Sequence, residues 1–166
     1  MRDYSAFLRA FLVSVSVACC ASIAPARAAE DRVVQVADDD AAVKAAMAKA
    51  RASLLTFWKS FEKPGPGEAA FNLKVALMGP SKKVEHVWVK SIRRLANGKF
   101  TGKIDNHPQD LPGVKAGDVV TFSEAEISDW MFTRNGKIVG NETMRPLLAH
   151  MPRKEADAYR AMLEKL

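Results

Sequence analysis

The fold is decided by Val84-Glu85-His86-Val87-Trp88-Val89-Lys90, which is followed by Ala96-Asn97-Gly98-Lys99 and then by Phe100-Thr101-Gly102-Lys103-Ile104. The first and last of these segments are rich in residues that favour strands, and Asn-Gly suits the tight turn of a hairpin. Phe71–Leu77 precedes them, across the turn signal Gly79-Pro80. Three strands joined by short turns predict an antiparallel meander.

More strand signals follow this meander. They are Asp118–Phe122, Trp130–Thr133 and Lys137–Gly140, and the last two flank Asn135-Gly136, a second hairpin signal. The Asp105–Gly117 segment holds two prolines and two glycines, which predicts a loop. They are Pro108, Pro112, Gly113 and Gly117. Ser123 to Trp130 is expected to connect strands through a short helical turn. The sheet is therefore predicted to have five or six strands.

Two helices are predicted to flank the sheet. Between Ala41 and Glu62, apolar residues recur at steps of three and four, the period of one helix face. They are Val43, Met47, Ala50, Leu54, Phe57 and Phe61. Asp38-Asp39-Asp40 supplies N-cap side chains, Lys63-Pro64-Gly65 ends this helix, and Pro152 opens a final one. The predicted fold class is α+β: a curled antiparallel sheet of five or six strands with an N-terminal amphipathic helix and a C-terminal helix.

Four segments, in this order, resemble the domain of unknown function 2314 family (the YegJ-like proteins). They are Glu85–Val89, Phe100–Asn106, Lys115–Val120 and Ile127-Ser128-Asp129-Trp130-Met131-Phe132, and Asn135–Gly140 continues the match. The resemblance spans about residues 71–145. Asn141 and Glu142 stand where the family tends to have glycine and an aromatic residue, a departure that concerns the local turn and not the fold. The resemblance implies an architecture and brings no established activity.

The N-terminus has the three regions of a secretory signal peptide. Arg2 and Arg9 give it positive charge, and the apolar run Ala10–Ala18 follows. Small residues then recur around Ala26-Arg27-Ala28, the best cleavage site, with Ala24-Pro25-Ala26 as the second. We therefore expect residues 1–28 to be a signal peptide and residues 29–166 to be a single mature domain, periplasmic or secreted.

Two alternatives to a cleaved, unanchored product remain open. A lipid at Cys19 or Cys20 is the first, although Ser16 and Val17 stand where lipid-carrying signals usually have a leucine-like residue. A retained anchor is the second, but the apolar run Ala10–Ala24 is 15 residues long. A helix needs about 20 such residues to span a bilayer.

Cleavage after Ala28 would remove both cysteines, which excludes thiol catalysis and zinc-thiolate sites from the mature domain. It would leave 22 basic and 18 acidic residues, a net charge of +4. This balance slightly favours acidic partners. No transmembrane span is expected in the mature chain.

Glu124, Glu126 and Asp129 form the best carboxylate cluster. Paired carboxylates act as acid and base when their environments separate their pKa values, and they also bind hard cations. However, no Asp-x-Asp-x-Asp-Gly loop is present, and Asp129 suits a turn cap equally well. The three histidines lie far apart in the sequence. We therefore predict no metal site and no cofactor.

Basic residues concentrate on the central hairpin, around Trp88. They are Lys82, Lys83, Lys90, Arg93, Arg94, Lys99 and Lys103. A basic sheet face with an exposed aromatic ring suits a polyanion or single-stranded nucleic acid, although export argues against nucleic acid. The simpler interpretation is a solvated face whose edge lysines deter strand pairing. Trp130 is expected to be a core residue.

Three functions are consistent with these patterns. The first is a non-catalytic periplasmic domain that binds another periplasmic or envelope protein through the sheet face or the Asp105–Gly117 loop. Its candidate binding residues are Trp88, Arg93, Arg94, Glu124 and Asp129. The second is a hydrolase that uses the Glu124/Glu126/Asp129 region, and the third is a polyanion-binding module that uses the basic hairpin. The sequence favours a protein that is not an enzyme, and it assigns no catalytic residue.

Overall fold

The predicted sheet is present in a computed structural model of the chain, which describes residues 40–164. Its strands are β1 (Glu68–Met78), β2 (Val84–Arg94), β3 (Phe100–Ile104), β4 (Val119–Phe122), β5 (Ile127–Arg134) and β6 (Lys137–Gly140). They lie in the order β4-β3-β2-β1-β5-β6, and each neighbouring pair is antiparallel. The α+β prediction is confirmed. The predicted signal peptide, its cleavage site and both cysteines lie outside the described residues.

Both predicted hairpins form at their Asn-Gly pairs. Asn135 and Gly136 have φ angles of +49° and +77°, the left-handed pair that a two-residue turn with the twist of the strands requires. Gly98 has a φ of +77° between β2 and β3. These turns fix the register of β5 with β6 and help to fix that of β2 with β3.

The N-terminal helical segment is divided in two, α1 (Ala41–Ala52) and α2 (Leu54–Glu62). The Asp40 carboxylate caps α1 by accepting from the Ala42 N–H at 2.7 Å, as predicted. The prediction of one continuous helix is wrong at Ser53. The Ser53 hydroxyl donates to the Lys49 and Ala50 carbonyl oxygens at 3.0 and 3.1 Å, and such bonds compete with helix continuation.

The core lies between these two helices and one face of the sheet. Phe57 of α2 is fully buried, and Trp58 stacks on Phe100 of β3 with ring centroids 4.8 Å apart. Trp130 is 1% exposed, so its predicted core position is confirmed. Its indole Nε1–H donates to the Ala50 carbonyl oxygen at 2.9 Å. The bond satisfies the polar end of a ring that otherwise contributes apolar burial.

The C-terminal part has more structure than the single helix predicted. It comprises α3 (Met144–Leu147), a 3₁₀ turn (Leu148–His150) and α4 (Arg153–Met162). After α4, Leu163 bridges to Ile138 in parallel, and the Glu164 N–H donates to the Ile138 carbonyl oxygen at 2.7 Å. This segment covers the outer edge of β6. Among residues 40–164, no helix has the length and apolar character needed to cross a bilayer.

Candidate binding surface on the sheet

The sheet face of β1–β4 that lies opposite α1 and α2 carries mainly polar and charged side chains. We call it the open face, and its members are Lys74, His86, Trp88, Lys90, Arg93, Thr101, Lys103, Val119 and Thr121. Strand alternation explains the division, because buried Val87 and Val89 point to the helices while Trp88 and Lys90 point away. All members of the open face are exposed or half-buried.

A bulge at Ser91 decides which of the consecutive residues Arg93 and Arg94 lies on the open face. Ser91 has a φ of +53°, and the pairing of β2 with β3 shifts between Lys90 and Arg93. Arg93 therefore lies on the open face. The Arg94 guanidinium lies 5.6 Å from the Trp58 ring centroid on the helix side and pairs with Glu62 at 3.3 Å. The two arginines, both predicted as binding residues, therefore do not lie on the same surface.

Arg93 and Lys103 form the exposed positive centre of the open face. Thr101 is the cross-strand partner of Arg93, and Lys103 follows two residues later on the same face. Lys103 also faces Lys90, which forms an ion pair with Asp105. Within residues 40–164, neither Arg93 nor Lys103 has an ion-pair partner. A depression of about 270 Å³ lies here and is lined by Ser91, Arg93, Thr101, Gly102, Lys103 and Val119.

The backbone of Trp88 on the open face is hydrogen-bonded on both sides of the residue. Its backbone N–H donates to the Asn106 side-chain oxygen at 2.8 Å, and its carbonyl accepts from the Asp105 N–H at 2.8 Å. The ring is half-buried, and the Lys74 ammonium lies 5.6 Å from the ring centroid. This is the geometry of a cation–π contact. Lys74 therefore occupies a ring surface on which a flat ligand would stack.

Asp129 is a buried structural carboxylate. It is 0% exposed and belongs to β5, not to the connection predicted before it. One oxygen accepts from the Trp130 and Glu142 N–H groups, and the other accepts from the Thr143 N–H and hydroxyl at 2.8 and 2.7 Å. Burial raises the pKa of Asp129, while these bonds and Lys74 act in the opposite direction. The carboxylate fixes the turn that follows β6.

Glu124 and Glu126 lie in a 3₁₀ turn and have a different environment from Asp129. Both are exposed. Glu126 accepts from the Ser123 N–H at 2.6 Å and its hydroxyl at 2.8 Å, which closes a capping box and lowers the pKa of Glu126. The carboxylates of Glu126 and Asp129 thus have separate hydrogen-bond partners. Among residues 40–164, no group of three His, Cys, Asp or Glu side chains is arranged to hold a metal ion.

The sequence did not identify a buried contact between His86 and Ser128. The Ser128 hydroxyl donates to the Lys74 carbonyl oxygen at 3.1 Å and lies 2.8 Å from the His86 Nδ1 atom. The direction of the bond between His86 and Ser128 depends on the tautomer of the imidazole ring. Ser128 is fully buried, and we assign this pair to structure.

A bulge in β5 explains why Ser128 was missed. The pairing of β1 with β5 shifts between Lys74 and Val75, so Ser128 and Asp129 both face away from the helices. Strict alternation would have placed Ser128 in the aromatic core. The Ser-Asp pair before Trp130 is the sequence signal of this bulge, because two polar residues interrupt an otherwise apolar strand.

Comparison with known proteins identifies a family that matches most of the described chain. The family described as "Uncharacterized protein conserved in bacteria (DUF2314)" matches residues 40–163. The chain belongs to this family. The DUF2314 match is longer than the resemblance over residues 71–145, because it includes α1, α2 and the C-terminal helices. The helices are therefore part of the family domain and not additions to it.

Two curated relatives match about half of the chain. The "Uncharacterized protein YegJ" of Escherichia coli (strain K12) is 41% identical over 81 residues, which are 49% of this chain and 52% of that protein. The "Putative ankyrin repeat protein NMB1133/NMB1171" of Neisseria meningitidis serogroup B is 32% identical over 78 residues, 46% of this chain and 30% of that protein. The chain thus spans about half or less of the length of these relatives. No solved structure matches.

Proposed function

We propose that this DUF2314 protein is exported and that its folded domain binds an acidic protein partner through the open face, without catalysing a reaction. Export is supported by the N-terminal charge, apolar run and small-residue cleavage site of the sequence. Binding is supported by the arrangement of charges on β2 and β3. Asp129, a residue of the alternative hydrolase hypothesis, is occupied by four hydrogen bonds that hold a turn.

The proposal depends on the positive charges of Arg93 and Lys103, which have no ion-pair partner among residues 40–164. Like charges directly opposite each other on antiparallel strands destabilise a sheet, and Lys103 lies opposite Lys90. Asp105 offsets the charge of Lys90, but no described acidic residue pairs with Arg93 or Lys103. An acidic ligand would supply the missing negative charge and steer its own approach.

The surroundings of Trp88 favour a protein over a single-stranded nucleic acid. Nucleic-acid platforms use aromatic rings on which bases stack. The Lys74 ammonium already lies over the Trp88 ring, and the ring is half-buried. Binding through the open face therefore relies on charge and on exposed side chains such as Val119, not on base stacking.

Poly-L-glutamate provides a defined probe for this surface. We expect the folded domain to bind it, and we expect R93Q/K103Q to weaken binding at least about tenfold because both uncompensated charges are removed. R94Q is the matched control, since it removes the neighbouring charge from the helix side of the sheet. Affinity is measured by titration at two salt concentrations, and binding by the parent should weaken as salt rises.

The alternatives give different results in the same titration. Equal affinity of the parent and R93Q/K103Q, with both proteins folded by circular dichroism, would contradict binding at the open face. Tighter binding to heparin than to poly-L-glutamate would replace the acidic protein with a sulfated polymer. Tighter binding to single-stranded DNA would overturn the argument from Trp88.

Export has a separate test. N-terminal sequencing of the protein from the periplasm of its native host should begin near Ala29, as cleavage after Ala28 requires. A cytosolic protein that begins at Met1 would contradict the export half of the proposal and leave the binding half to be judged on its own titration.

A further inference from the structure

The two edges of the sheet differ in whether another segment of the chain pairs with them. The outer edge of β6 is covered by Leu163 and Glu164. The opposite edge is β4, and among residues 40–164 its only strand partner is β3. The four residues of β4 are Val119-Val120-Thr121-Phe122, which include none of the lysines or prolines that commonly protect exposed edges.

The hydrogen-bond pattern shows which groups of β4 point outward. The Ile104 N–H donates to the Asp118 carbonyl oxygen at 2.9 Å, and the Ile104 carbonyl oxygen accepts from the Gly117 N–H at 2.8 Å, so both polar backbone groups of Ile104 point towards the segment that leads into β4. Gly102, two residues before Ile104 on β3, points the same way and pairs with Val120. Bonded and non-bonded pairs alternate along antiparallel strands. Val120 and Phe122 therefore bond to β3, whereas the N–H and C=O groups of Val119 and Thr121 point away from the sheet.

The side chains around this edge define a matching strand. Val119, 65% exposed, and Thr121 lie on the open face beside Lys103, while Val120 and Phe122 lie on the core side. A strand added to β4 would place alternate side chains on these two faces. Its side chains on the open face would approach Lys103, and those on the other face would extend the apolar surface of Val120 and Phe122.

We propose that the acidic partner binds by strand addition: an extended segment with alternating acidic and apolar residues pairs with Val119 and Thr121 at the edge of β4. This inference rests on the proposed function and specifies its mode. Backbone bonds provide affinity in such complexes, and alternate side chains provide specificity. A second copy of this chain fits less well, because pairing β4 with β4 would bring the positive charges of the two open faces together.

Proline substitutions can distinguish the N–H groups of β4 that point outward from those that bond to β3. T121P removes an outward N–H, so the domain should stay folded, since proline is tolerated where an edge N–H faces solvent. V120P is the matched control for orientation, because it removes an N–H that bonds to β3 and should lower the melting temperature clearly. The probe is a seven-residue peptide of alternating glutamate and valine with blocked ends.

We expect T121P to bind this peptide at least about tenfold more weakly than the parent. In hydrogen exchange, the Val119 and Thr121 amides should gain protection when the peptide is added to the parent. Parent-like affinity of a folded T121P would overturn strand addition. If R93Q/K103Q nevertheless loses affinity, the charge-based function stands and only the strand-addition mode of binding is wrong.

If neither variant changes affinity, both proposals fail. A dimer that forms without peptide, measured by light scattering, would then show that the β4 edge binds a second copy of the chain.

Discussion

Gly140 combines a left-handed backbone conformation with a contact too close for a Cβ atom unless its neighbours shift. Its φ is +83°, and a Cβ atom built on it would lie 2.4 Å from the Trp130 carbonyl oxygen and 2.7 Å from two carbons of the Trp130 ring. This oxygen also accepts from the Asn141 N–H at 2.8 Å. Gly140 thus lets the chain cross Trp130 closely and lead into the turn that Asp129 holds.

The G140A substitution should combine two penalties. The left-handed conformation costs about 1–2 kcal/mol for a residue with a Cβ atom. Overpacking against a rigid neighbour costs about 1–3 kcal/mol more, and here the neighbour is backbone and a buried ring. We expect the free energy of unfolding to fall by about 2–5 kcal/mol. Each kcal/mol corresponds to a melting-temperature shift of roughly 3–6 °C for a domain of this size.

G136A is the matched control. Gly136 has a φ of +77°, but a Cβ atom there would meet nothing within 4 Å. It should therefore show only the conformational penalty, about 1–2 kcal/mol. Urea denaturation of both variants measures the difference. Equal losses would refute the close packing of Gly140 on Trp130, because conformational strain alone would then explain both results.

Two further predictions concern buried polar groups. W130F should lower the free energy of unfolding by about 0.5–1.5 kcal/mol more than W58F, because the Trp130 indole N–H donates to Ala50, whereas Trp58 Nε1 has no partner among residues 40–164; equal losses in urea denaturation would contradict this. D129N should destabilise the domain at pH 7 by about 1–3 kcal/mol, because an amide nitrogen cannot accept from the Thr143 N–H and hydroxyl. The raised pKa of Asp129 means that the folded state binds this proton more readily than the unfolded state. The free energy of unfolding of the parent, relative to that of D129N, should therefore increase as pH falls from 7 through the raised pKa towards the ordinary aspartate value. Urea denaturation of both proteins at several pH values measures this difference, and a difference that decreased as pH fell would refute the role of burial.

Local sequence signals were sufficient where the structure depends on neighbouring residues. The Asn135-Gly136 turn, the Asp40 cap and the six strands are set by conformational preference and hydrophobic alternation, which single sequences record. The position of Trp130 was predictable for the same reason, since a large ring on an apolar strand face is buried.

Bulges account for what the sequence could not reveal about the candidate surface. An extra residue at Ser91 turns Arg93, and not Arg94, to the open face, and another at Ser128 turns Asp129 towards Lys74. A one-residue shift moves all subsequent side chains to the other face. Whether a strand bulges depends on its partner strand, so the grouping of charges becomes visible only when β2 and β3 are paired.

The bridge of Leu163 and Glu164 to Ile138 has a consequence for synthesis. Strands β1 to β6 emerge from the ribosome before Leu163 does, so a nascent chain passes through a stage in which its last strand has no outer neighbour. Unpaired strands in partly made chains promote aggregation. A chain arrested shortly after Gly140 would therefore be more prone to associate with other chains than the finished protein.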